Sequence, residues 1–176
     1  AQYEKALEFF EKAKQIFEEL GDMKEYAMVL NGIEHCEYYS GNYEKAIAVN
    51  TEYYELVKRL GDEYSLGAAL IYFSQYHREK GNIAEAMKYA EEARALSSEK
   101  GIWFNYCSAL NELGCNAIEA GEFSLAIQFL EEAKKLHEKN TFLKQYIIPL
   151  YVNLACAYLD EYQLRYANLS GKERRD

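Results

Sequence analysis

Gly41–Val49 reads GNYEKAIAV, Gly81–Tyr89 reads GNIAEAMKY and Gly121–Phe129 reads GEFSLAIQF. The three stretches start forty residues apart, and residues 1–9, AQYEKALEF, fall on the same frame with Ala1 in the glycine's place. Aromatic or apolar residues hold the register at Tyr3, Tyr43, Ile83 and Phe123, and small ones at Ala6, Ala46, Ala86 and Ala126. Ile16, Leu56, Leu96 and Leu136 continue it, as do Leu30, Leu70, Leu110 and Leu150. So many matches at one spacing identify an internal repeat, the signature of a stacked array.

Within each unit the apolar residues recur at steps of three and four, as in Ala6, Phe10, Ala13, Phe17 and Leu20. That is one face of an α-helix. Gly21, Gly61 and Gly101 end these helices, and Asp22 and Asp62 are placed to cap the helices that follow. A second helix runs to the next glycine, so each unit is a helical hairpin. The pattern predicts helices at 2–20, 23–40, 42–60, 63–80, 82–99, 102–120, 122–139 and 143–160, with a short ninth at 162–170. A hairpin cannot bury both its faces alone, so stacking is required. The fold class is therefore all-α, an α-α superhelix or solenoid of antiparallel hairpins.

The chain has 176 residues, 20 Lys and Arg against 29 Asp and Glu, and a net charge of −9. An acidic chain does not suit a phosphate backbone, so no direct nucleic-acid partner is expected. No apolar run reaches the roughly 18–20 residues that cross a bilayer, and no signal segment opens the chain. No membrane association is expected, and the expected location is cytoplasmic. Cys36, Cys107, Cys115 and Cys156 lack C-x-x-C spacing and read as reduced structural thiols, with Cys115 and Cys156 at matching places in neighbouring repeats. His35, His77 and His137 form no metal motif, and no phosphate loop, dinucleotide fingerprint or nucleophile elbow is present. Glu and Lys recur at helical spacing, as surface ion pairs do. These features give no metal, no cofactor and no enzyme.

The order glycine, aromatic, alanine, alanine at Gly121, Phe123, Ala126 and Ala133, preceded by Leu110, Leu113 and Gly114, resembles the tetratricopeptide repeat. The forty-residue period exceeds the usual 34, the late proline is missing, and Glu34, Ser74 and Ala155 replace the first-helix glycine in the other units. Long-helix arrays of this kind resemble those of signalling ATPases, transcription regulators and cell-polarity adaptors. In phase with the motif, the single domain 1–176 begins with the second helix of a truncated repeat at 1–20. Full repeats follow at 23–60, 63–99 and 102–139, then a partly truncated one at 143–170 and a tail at 171–176. The chain is expected to be a segment of a longer protein.

The resemblance implies a concave face lined by the first helix of each repeat. Carried over, its rows are Asn31, Ile71, Asn111 and Val152; His35, Gln75, Cys115 and Cys156; Tyr38, Arg78, Ile118 and Leu159; and Tyr39, Glu79, Glu119 and Asp160. Tyr72, Glu112 and Asn153 flank them. The expected partner-binding set is Asn31, His35, Tyr38, Tyr39, Tyr72, Gln75, Arg78, Asn111, Cys115 and Glu119. A carboxylate clamp needs several cations, and Arg78 stands alone in these rows, so chaperone tails are not the expected partner. The implied function is a non-enzymatic scaffold for a protein or peptide; the alternative is a ligand-sensing arm of a signalling ATPase or transcription regulator.

Three local expectations complete the reading. The chain should kink or turn widely at 145–150 beside Pro149, because proline inside a helix removes a donor and clashes one turn back. Cys115 and Cys156 should stay unbridged. Tyr3, Leu7 and Phe10 should be exposed on the first helix, favouring a homo-oligomer through a terminal helix.

Overall fold

The computed structural model describes residues 2–139 and 147–173, with side chains as far as residue 166. Among the described residues eight helices follow in order: α1 Gln2–Leu20, α2 Met23–Tyr39, α3 Tyr43–Leu60, α4 Glu63–Glu79, α5 Ile83–Lys100, α6 Trp103–Glu119, α7 Phe123–Lys139 and α8 Ile147–Glu173. No strand occurs among the described residues. Each helix packs on its chain neighbour, and α4 also touches α6, as α6 touches α8. This is the stacked-hairpin solenoid, with α2, α4, α6 and α8 side by side in one layer and α3, α5 and α7 in the other.

Glycines at 21, 41, 61, 81, 101 and 121 all have φ between 68° and 80°. At Gly61 the left-handed residue turns its N–H back to Lys58 O and Val57 O, which closes the end of α3. Asp22 accepts a hydrogen bond from Glu25 N and Asp62 from Ser65 N, so both aspartates cap as expected. Ile102 stands at the same place before α6 and supplies no side-chain cap.

The core follows the register. Ala46, Ala86 and Ala126 are completely buried, and clusters such as Leu110, Leu130, Leu150 and Leu154 bridge successive hairpins. Gly114 lies so close to α7 that a Cβ there would sit 2.5 Å from Leu130 Cγ. That contact lets α6 and α7 approach closely.

The C-terminal part differs from the sequence expectation. No separate ninth helix exists at 162–170; α8 runs unbroken from Ile147 to Glu173, through 171–173 of the expected tail. The frame that places glycine at 41, 81 and 121 places Glu161 here, and glutamate does not stop a helix. Residues 143–146 and 174–176 lie outside the described residues, as does part of the expected kink at 145–150. Pro149 lies in α8, three residues into its described part.

On α1 the expectation is half met. Tyr3 is exposed, but Leu7 and Phe10 are half-buried, and the Phe10 ring rests on Gly32. The exposed apolar residues are instead Phe9 at 69 % and Leu20 at 72 %, with Ile16.

Candidate functional site

A groove of about 420 Å³ runs along the inner side of α4 and α6. On α4 it is lined by Tyr64, Ala68, Ile71, Tyr72 and Gln75, a helical stripe of one face. Phe104, Ser108, Asn111 and Glu112 form the matching stripe on α6. Asn31 closes it from α2, and Pro149 and Leu150 from α8. The Tyr64 and Phe104 rings stack at 6.3 Å with an interplanar angle of 25°.

Four members of the expected set, Asn31, Tyr72, Gln75 and Asn111, therefore line one groove. The other six, His35, Tyr38, Tyr39, Arg78, Cys115 and Glu119, lie further along the same helices and do not line it. Tyr64, Ala68, Phe104 and Ser108 were missed. Their signal was present, because 64 and 104, and 68 and 108, keep the forty-residue register one or two turns before the rows that were carried over.

The inner polar side chains are mostly engaged with each other. At the N-terminal end the Tyr72 hydroxyl sits 3.4 Å from Asn31 Nδ2 and 3.0 Å from His35 Nε2. Burial raises the Tyr72 pKa and lowers that of His35, so both rest neutral. His35 also stacks on Tyr39 at 6.1 Å, and Tyr39 on Tyr3 at 6.1 Å. Tyr38 packs against Tyr76 and Tyr43, and burial pushes its hydroxyl up to about 12.

In the centre, Arg78 Nη1 donates to Glu112 Oε2 at 2.5 Å, and Gln75 Nε2 donates to Glu112 Oε1 at 2.9 Å. Arg78 Nη1 also reaches Asn116 Oδ1 at 3.4 Å. Burial is the largest single effect and acts to lower the Arg78 pKa, yet the charge and hydrogen bond of Glu112, with Cys115 and Glu79, together raise it. The acid that Arg78 meets in the fold is thus internal, Glu112. Ile71, which lines the groove, is 6 % exposed and packs with Leu70, Ala93 and Ala109. Glu112 is likewise buried.

Towards the C-terminus, Asn153 Nδ2 donates to Asn111 Oδ1 at 2.9 Å and lies 3.2 Å from Cys115 Sγ. Cys115 is half-buried, and burial first and Glu112 second push its thiol up to about 12, so it is protonated and a poor nucleophile. All four cysteines are free thiols in the structure. Glu119 and Glu79 are exposed at the ends of α6 and α4. No group of three or more His, Cys, Asp or Glu that could hold a metal occurs among the described residues, and none of their helices is long and apolar enough to cross a membrane.

Residues 1–59 match the family model of the tetratricopeptide repeat. No curated protein matches the chain. Among solved structures, it is similar to the Signal Transduction ATPase with Numerous Domains protein with a tetratricopeptide repeat sensor from Pyrococcus horikoshii, with a TM-score of 0.74 and 21% identity. That likeness covers 89% of this chain but 24% of the archaeal protein, so this chain spans about a quarter of it. It is also similar to BtubC from P. vanneervenii, at a TM-score of 0.70 and 14% identity over 96% of this chain and 67% of that one. The kinesin light chain repeats of Podosopora anserina match at a TM-score of 0.70 and 16% identity over 99% and 85% of the two chains. Identities this low establish a shared fold.

Proposed function

We propose that this array of tetratricopeptide repeats is a non-catalytic scaffold that holds an extended protein or peptide segment in the groove along α4 and α6. Arrays of this fold generally mediate protein interactions, and the reading rests on one observation. A preformed groove places amides at Asn31, Gln75 and Asn111 beside the rings of Tyr64, Tyr72 and Phe104. Amides bond an extended backbone, and rings cover side chains with little entropy to lose. The helices are ordered before binding.

Filling the groove tests this. Ser108→Arg puts a long side chain into it from a half-buried position, and affinity capture from the source cell should lose its specific partner while the melting temperature stays within a few degrees. Capture that persists with Ser108→Arg but disappears with a change on the opposite layer, such as Glu91→Arg, would contradict the reading.

A second reading is favoured by the likeness to the sensor-bearing signalling ATPase. There the array is the sensing arm of a longer protein, and occupancy of the same groove is what it reports. A Walker A motif elsewhere in the gene would support that use.

A further inference from the structure

The charges around the groove narrow what it accepts, given the peptide-binding reading above. Its lining is nearly neutral. Among the described lining residues Glu112 is the one carboxylate, and Arg78 and Gln75 already meet its two oxygens. The lining histidine, His137, is buried with Nδ1 on Ala133 O. Ala68, Ile71 and Leu150 give it an apolar lining, and the Tyr64 and Phe104 rings, stacked on each other, add to it. A charged side chain seated there would lose its hydration without a partner, whereas a large uncharged one would gain by burial.

Beyond Gln75 the chemistry changes. The lining stripe of α4, residues 64, 68, 71, 72 and 75, continues one turn on to Glu79, and that of α6 continues through Cys115 to Glu119. Both carboxylates are exposed, and Asp160 follows on the same row. The one arginine of the inner rows, Arg78, is committed to Glu112. The exit of the groove is therefore acidic. From Ile71 to Glu79 is eight helical residues, about 12 Å at 1.5 Å each, a span that about four residues of extended chain cover.

The geometry points to an extended peptide with one large uncharged side chain, aromatic or aliphatic, over Ala68 and Ile71, and a lysine or arginine about four residues away beside Glu79 and Glu119. The aliphatic stem of that cation lies along the groove wall while its head stays in water. Both features are needed for recognition, the first for burial and the second for orientation.

Selection from a phage-displayed library of random twelve-residue peptides on the immobilised 1–176 chain tests this, with synthetic copies measured by fluorescence anisotropy. Enriched peptides should carry a large uncharged residue with Lys or Arg three to five positions away. Ala68→Arg should weaken them at least ten-fold, with Ser108→Arg as the substitute if thermal melting shows that variant misfolded. Glu79→Gln with Glu119→Gln should weaken them about three- to ten-fold and flatten the dependence on salt. Acidic peptides, or peptides without the large residue, that are still lost with the groove-filling variants would overturn this specificity and leave the peptide-binding reading standing. Peptides that bind both filled variants as well as wild type, or no enrichment over the bare support, would overturn both.

Discussion

Glu34 stands where the next two repeats have Ser74 and Gly114, and that one substitution loads a carboxyl into a place built for small residues. It is 2 % exposed, its Oε2 makes no hydrogen bond, and burial pushes its pKa up to about 8. Asn50 Oδ1 is also buried without a partner. His35 Nε2 is 3.8 Å from Glu34 Oε2, and Cys36, Tyr53 and Tyr72 feel its charge. The raised value means that the folded chain holds a proton that the unfolded chain releases near its ordinary 4.5. Its stabilising effect is complete below about pH 4.5, declines as pH rises, and is gone above about 8. Glu34→Gln should therefore remove a downward slope of stability between those pH values, seen as urea melts of the two proteins converging at low pH and separating at pH 8. Equal slopes would show Glu34 ionised in the fold. Arg78 gives a second outcome at this scale. Arg78→Ala strands the buried Glu112 carboxylate and should cost about 3 kcal/mol, while adding Glu112→Ala should recover part of it in a double-mutant cycle. Neither partnership was legible in the sequence. Arg78 and Glu112 are 34 residues apart, and a forty-residue period reports equivalent places, not which unlike side chains meet across neighbouring repeats.

At the scale of the helix the sequence was almost fully legible, because each boundary is written by local chemistry. A glycine with positive φ every twentieth residue from 21 to 121 and an aspartate cap after two of them place the ends of α2 to α6 and the start of α7 within a residue of the expected limits. Where that code lapses the expectation lapsed with it: at Glu161 nothing ends the helix, and α8 continues. The groove stripe was legible in part for a related reason. Asn31, Tyr72, Gln75 and Asn111 were found from the middle turns of their helices, whereas Tyr64 and Phe104 sit in the first turn, where a sequence pattern does not separate capping from lining. Close packing between helices makes its own prediction. Gly114→Ala would press a methyl against Leu130, which is fully buried and has nowhere to retreat. Overpacking of this kind costs about 1–3 kcal/mol, to be read from the denaturation midpoint. An unchanged midpoint would mean that α6 and α7 are looser than the contact implies.

Across the whole molecule, stability is a sum of hairpins and the interfaces between them, so it should fall towards the ends. Helix α1 contains no buried residue, whereas α4 and α6 are packed on both sides. Amide hydrogen exchange should be fastest in α1 and slowest in α4 to α6; equal protection throughout would indicate one cooperative block. The apolar stripe Phe9, Ile16 and Leu20 on α1 should also let isolated copies associate, visible as a mass that rises with concentration in light scattering and falls with Leu20→Lys. The same solenoid brings the first helices of the repeats into one layer, and the functional claim depends on that layer being the binding face. Its most direct measurement is a backbone-amide NMR titration of isotope-labelled 1–176 with a peptide taken from the captured partner. Shifts concentrated at Asn31, Tyr64, Ala68, Tyr72, Gln75, Phe104, Ser108 and Asn111 are the predicted result, and shifts concentrated on the outer faces of α3, α5 and α7 with the groove unmoved would contradict it.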